Sequence, residues 1–596
     1  MYSLTLPFTP EITRISKIPR RNYTPEQLEH ARVRLSQILR RPAGTQELRT
    51  IQAIALAEIG MHQGLFGQIK VGDGKTLISL LAPVVCKSRR PLLLIRANLK
   101  GKTNRDILHY GIHWNIARWI RIESYELLGR KQSADLLNQY QPDLIIADEA
   151  HRLRNPRAAV TRRVSRWMKE YPSTVFVAMS GTMCSKSLED YAHILRWCLG
   201  SNAPVPTASG ELQQWCDVLD NQDNFVRRMH PGAMIYISPE TAIDLAFGKA
   251  NPESAALEKK WQNAPTETAR EIFRKRLEDT PGVVFSQKSD LNCPLILTTR
   301  KVSLDRPLVA AFKVLRSEYK TPDGWPFSDG LAMRRHAYEL ALGFYSVWNP
   351  RPPDWWLEPR KAWCSECRSI IRYSRPAKSR PVPDSESQVI DLVKAGLIKA
   401  QSLDAWLAVK DHWKLGRDYR IEARWLSNQI VEWSARWMRY PGIVWTEHIP
   451  FAERLAQHTD REYFGKDGKN KAGLPIEACD PTKAIIASRA SNGEGRNLQM
   501  FRRNLIVAPS SNAQIEEQRL GRTHRTGQKA HEVTATYLLS CIEHHLALES
   551  AIAYSKVILA TIPGTTEMKL LNSDCSFHTT EELANSTEPQ WMKTLD

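Results

Sequence analysis

The chain has 596 residues, 83 Lys and Arg against 64 Asp and Glu, and a formal net charge of +19. That length exceeds one ordinary core and predicts at least two domains, and an apolar content of 42% excludes a wholly disordered chain. Ten Cys are too sparse for a disulfide scaffold. No run approaches the ~18 apolar residues of a bilayer span, and residues 1–20 lack the charged-then-apolar order of a leader. The basic excess favours a polyanionic partner, with nucleic acid ahead of membrane. A soluble protein of a reducing compartment, the cytoplasm of a bacterium or of a phage-infected host cell, is expected.

In chain order, residues 1–40 form a basic extension with one predicted helix, Thr24 to Leu39, opened by Thr24, Pro25 and Glu26. Short apolar runs then begin at Pro91, Leu144 and Thr174, separated by amphipathic stretches. Such runs predict a parallel sheet covered on both faces. A second set starts at Gly442, Ala484 and Asn504. The fold class expected is therefore α/β, with one block over 41–205, another over 440–565, and a polar tail over 566–596. The region between, 206–439, reads as a helical insertion, with ten of the 18 Trp gathered from Trp325 to Trp437. Leu426, Ile430, Trp433 and Trp437 recur at helical spacing, which favours packed core over base stacking.

Three motifs carry chemistry. Gly72, Asp73, Gly74, Lys75 and Thr76 form a glycine-rich turn opening an apolar helix, although Ile69 stands where the full phosphate-loop pattern has Gly. Such a turn aims backbone N–H groups at a triphosphate, with Lys75 on the β and γ phosphates and Thr76 on magnesium. Asp148 and Glu149 end an apolar strand, where Asp148 can hold magnesium and Glu149 can orient and deprotonate the attacking water. Gln518, Gly521, Arg522 and Arg525 make an Arg-bearing stretch in the second block, with the two Arg three apart, as on one helical face. Arginines so placed can reach across a cleft and stabilise charge on a leaving phosphate.

Together these residues resemble the superfamily-two helicase ATPases, and most closely their Snf-type (Swi/Snf-related) DNA translocases of phage and bacterial kind. Residues 148–155, DEAHRLRN, are similar to the DEAH-box motif and its extension, with His151 as a coupling residue. Ser180, Gly181 and Thr182 resemble the motif that couples the lobes, and Leu48 to Gln52 resembles the glutamine motif that reads adenine through Gln52. Ser124, Tyr125 and Glu126 resemble a nucleic-acid contact of the first lobe. Gly493 and Gly495 keep part of the fifth motif, while Ser511, Asn512 and Ala513 replace an expected Trp-Asn-Pro. The resemblance implies two RecA-like lobes and ATP with magnesium as substrate and cofactor. It also implies movement along double-stranded or branched DNA, with single strands as a further possibility. Alternatives are an RNA helicase of the DEAH type, the motor subunit of a restriction or defence complex, and a non-hydrolysing DNA scaffold.

Other constellations have plainer readings. Cys364 and Cys367 lack a second ligand pair nearby, so zinc is not expected. Arg227 with Arg228, and the run Arg274, Lys275 and Arg276, read individually as solvated faces and collectively as a DNA-facing surface.

Overall fold

The computed structural model describes residues 9–70, 72–183, 187–220, 229, 231–238, 266–286, 293–374, 383, 385–493, 495–525, 527–562 and 568–571. Arg227, Arg228 and the polar tail from 572 onward lie outside them.

Two six-stranded sheets, each wholly parallel, build the two RecA-like lobes. The first contains β1 (Gly64–Gln68), β2 (Pro91–Ile95), β3 (Arg121–Ser124), β4 (Leu144–Asp148), β5 (Val175–Ser180) and β6 (Val283–Phe285), in the order β3-β2-β4-β5-β1-β6. Its inner strands β2, β4 and β5 are largely apolar on both faces because both are covered. Leu92, Leu94, Ile145, Phe176 and Ala178 enter one core, while Leu93, Ile95, Leu144, Ile146 and Val177 enter the other. The second sheet contains β7 (Leu295–Lys301), β10 (Gly442–Thr446), β11 (Tyr463–Phe464), β12 (Ala484–Ser488), β13 (Arg503–Ile506) and β14 (Val533–Leu539), in the order β11-β12-β10-β13-β14-β7. Ile443, Trp445 and Ile485 face one of its cores, and Val444, Ile486 and Leu505 the other.

The block boundaries differ from the expected 41–205 and 440–565. β6 pairs with β1 and β7 with β14, so the intervening region supplies an edge strand to each lobe. Neither run announces itself: β6 has three residues, and β7 alternates buried with half-buried positions as far as Thr299 and ends in the exposed Arg300 and Lys301. The extension before residue 41 also belongs to the first lobe. Ile12 and Ile15 are buried in its core, and Arg14 donates to the carbonyls of Ala203 and Val205. The predicted helix is present as Pro25–Leu39, with Thr24 and Gln27 forming a capping box.

The rest of the intervening region holds an antiparallel pair, β8 (Phe344–Asn349) with β9 (Arg420–Trp425), and helices that include Asp354–Tyr373 and Leu403–Val409. Trp356, Trp363, Trp406 and Trp413 form their core. The spacing at 426–437 resolves into a helix Gln429–Trp437 that buries Ile430 and Val431, with Leu426 ahead of its start. Cys364 and Cys367 are buried on the helix Asp354–Tyr373, and burial pushes the Cys367 thiol up to about 12. The run Arg274 to Arg276 is not a solvated face throughout. Arg276 is 0% exposed and donates to the carbonyls of Ile18 and Pro19, fastening the N-terminal arm.

Candidate nucleotide site between the lobes

In a parallel α/β sheet, side chains suited to binding gather beyond the carboxyl ends of the strands. β1, β4 and β5 are neighbours there, and each ends at one of the predicted motifs. The turn after β1 leads into the helix Lys75–Val85. Gly72 and Gly74 hold left-handed φ values of 104° and 81°, open to Gly at no steric cost. A Cβ at Gly74 would also fall 2.0 Å from Gln52 Nε2, so any larger residue there would displace that amide. Gln52 therefore lies against the phosphate loop, with its carbonyl oxygen accepting from the Arg49 N–H at 2.8 Å. Arg49 in turn donates to the Gly72 carbonyl at 2.7 Å.

Lys75 is buried at the start of its helix, and Thr76 follows it, half-buried. Lys75 Nζ donates to the Ile69 carbonyl at 3.2 Å and lies 3.3 Å from Glu149 Oε1. Glu149 has a left-handed backbone, φ 58°, which turns its side chain out of the strand direction at the end of β4. Its other carboxylate oxygen accepts from Ser180 Oγ at 3.3 Å and lies 3.4 Å from His151 Nδ1. His151 and Ser180 are themselves 3.0 Å apart, so the carboxylate, imidazole and hydroxyl form one cluster.

The two carboxyls are driven apart. Loss of water around Asp148, reinforced by the Glu149 charge, pushes Asp148 up to about 6. The same loss of water opposes ionisation of Glu149, but Lys75, His151 and Arg522 outweigh it and hold that carboxyl below its usual range. A divalent cation would offset the first effect by neutralising Asp148, which fits this residue to a magnesium ligand. Tyr125 donates to the Asp148 carbonyl at 2.8 Å, and Ser124 caps the short helix that follows it. Tyr125 of the predicted nucleic-acid contact thus supports the carboxylate strand.

The second lobe closes the site. Gln518 Nε2 donates to Thr182 Oγ1 at 3.0 Å, and Gln514, one helical turn earlier, donates to the Thr182 carbonyl. Arg154 donates to Gln514 Oε1 at 2.6 Å. Arg522 and Arg525 lie in the turn after the helix Ala513–Leu520, not on a helical face as the spacing implied. Arg522 is 2% exposed and donates to the carbonyls of Gln518 at 2.9 Å and Arg496 at 3.2 Å. Arg525 is half-buried, bonds Arg496 and Asn497, and approaches the phosphate loop, with Nη2 3.7 Å from the position of a Cβ on Gly72. Gly495, at φ 72°, lets the second lobe come close, since a Cβ there would lie 2.9 Å from Leu99. Gly493 sits farther back, against the Arg489 carbonyl.

Sequence reading missed Gln68, Arg154, Ser286 and Gln514. Gln68 donates to the Gly181 carbonyl at 2.8 Å and accepts from the Met183 N–H at 3.1 Å, joining β1 to the Ser180–Thr182 turn. Gln514 stands four residues before Gln518, on the same helical face, which was the available signal.

No family model matches the chain, and no match was found among curated proteins. Among solved structures it is similar to the SWI2/SNF2 ATPase core of Sulfolobus solfataricus in complex with double-stranded DNA. The identity is 14%, the match covers 92% of this chain and 98% of that one, and the TM-score is 0.28. Among the described residues, no helix is long and apolar enough to cross a membrane.

Proposed function

We propose that the chain is an ATP-dependent DNA translocase of the helicase type, hydrolysing ATP between its lobes and stepping along DNA. The observation that carries this reading is the convergence of Lys75, Glu149, Ser180 and the Arg522–Arg525 turn on one interlobe cleft. No simpler role of a glycine-rich turn or an acidic loop calls for all four.

In this reading the backbone of residues 72–76 and Lys75 receive the triphosphate, and Gln52 borders the adenine side. Thr76 and Asp148 would hold magnesium, which when bound neutralises phosphate charge. Glu149 accepts a hydrogen bond from the attacking water and orients it. Lys75 is shared between Glu149 and the phosphates, so phosphate binding competes for the ammonium and raises the proton affinity of Glu149. Arg522 and Arg525 supply positive charge from the second lobe. Gln518 and Gln514, bonded to Thr182, pass cleft closure between the lobes, and Gly495 permits the close approach to Leu99.

The polyanion is taken to be DNA on the formal charge of +19 and on the motif resemblance. The test is the ATPase rate without nucleic acid and with single-stranded, double-stranded or branched DNA, or RNA. Stimulation by duplex or branched DNA supports the reading. Stimulation by RNA alone would replace it with an RNA helicase, and no hydrolysis under any condition would overturn it.

A further inference from the structure

Ser286 lies outside every motif, more than 200 residues from the phosphate loop in sequence, and yet touches that loop twice. It directly follows β6, the edge strand beside β1, and its N–H donates to the Gln68 carbonyl at 3.0 Å. The backbone is therefore fixed by continuation of the sheet ladder. Its side chain is 2% exposed. The hydroxyl accepts from the Lys70 N–H at 2.9 Å and donates to Asp73 Oδ2, so its donor and one acceptor site are both spent on the loop.

That loop needs anchoring. Gly72 and Gly74 carry no side chains to restrain it. Asp73 between them places a carboxylate in a turn that, on the reading above, receives a triphosphate. Like charges repel, and a carboxylate free to swing toward the phosphates would weaken their binding. Donation from Ser286 fixes Asp73 in one orientation.

The continuation of the chain adds a second attachment. Residues 287–292 join Ser286 to Cys293, just ahead of β7 in the other sheet. The Cys293 carbonyl accepts from His524 Nε2 at 2.6 Å, and Lys569 Nζ donates to His524 Nδ1 at 3.0 Å, which settles the tautomer. His524 belongs to the turn that carries Arg522 and Arg525. Ser286 is thus fastened to the phosphate loop in one lobe, and Cys293 to the arginine turn in the other.

We propose that Ser286 is a positioning residue for the phosphate loop, holding Asp73 and Lys70 and tying the loop to the end of β6. The assignment rests on the ATPase reading. Steady-state ATPase kinetics and direct binding of ATP should be measured for the wild type, Ser286→Ala, Asp73→Ala and the double variant, with melting temperatures alongside. Loss of a hydrogen bond to a charged group predicts a KM and dissociation constant for ATP raised about tenfold in Ser286→Ala, with kcat nearly unchanged. Adding Ser286→Ala to Asp73→Ala should have much less effect than in the wild type, because the carboxylate it restrains is gone. A Ser286→Ala variant with unchanged KM, or fully additive effects in the double variant, would overturn the assignment and leave the ATPase reading standing. A wild type that binds no ATP would overturn both.

Discussion

Arg525→Ala separates catalysis from folding, and Arg522→Ala provides the contrast. Arg525 is half-buried, and its recorded bonds go to the Arg496 carbonyl and Asn497 Oδ1 in its own lobe. Their loss should cost about 1 kcal/mol, a drop of about 1 °C in Tm for a chain this long. Charge delivered to the nucleotide from the opposite lobe is worth far more. Loss of an arginine finger lowers the rate ~10³-fold or more, equivalent to about 4 kcal/mol of barrier. Arg522 is 2% exposed, and removing it orphans the Gln518 carbonyl, takes one of two donors from the Arg496 carbonyl and leaves a void, at about 3 kcal/mol. Turnover at saturating DNA and ATP, with thermal melts of the same samples, tests both. Arg525→Ala should melt close to wild type and hydrolyse poorly, while Arg522→Ala should lose activity and about 2 °C in Tm. Near-normal turnover by Arg525→Ala, or a larger loss of stability than in Arg522→Ala, would refute the division of roles.

Lys75→Ala should weaken ATP binding, read by nucleotide titration, because it removes the ammonium at the loop. DNA binding should fall ~10³-fold or more between 50 and 200 mM salt if six or more phosphates are contacted, and should be nearly sequence-blind in competition titrations. Burial raises the Asp220 carboxyl to about 7, above its unfolded value, so the protein should lose stability as pH rises from about 4 to 7. Asp220→Asn should abolish that slope in denaturant melts, with its advantage over wild type growing across the window and level above it.

The local parts of the site were legible. A glycine-rich turn before a helix, a strand ending in Asp148 and Glu149, and the spacing of Gln518, Arg522 and Arg525 are written in contiguous residues, and the chain folds them to one cleft. What escaped depends on pairings between distant segments. Ser286 meets Asp73 only because β6 pairs with β1, and β7 joins the second sheet only through β14. The placement of Arg522 and Arg525 in a turn follows from Asn504, whose amide donates to Thr523 at 2.9 Å and holds that turn beneath β13. Arg276 looked like one more surface cation. Its burial depends on the carbonyls of the N-terminal arm, which no window around residue 276 contains.

The most direct test of ATP hydrolysis between the lobes compares wild type with Glu149→Gln, measuring both ATP affinity and turnover with saturating duplex DNA. Glu149→Gln keeps the shape of the side chain and removes the charge that orients the water, so binding should persist while turnover falls ~10²- to 10⁴-fold. A Glu149→Gln variant that turns over ATP at the wild-type rate would contradict the account.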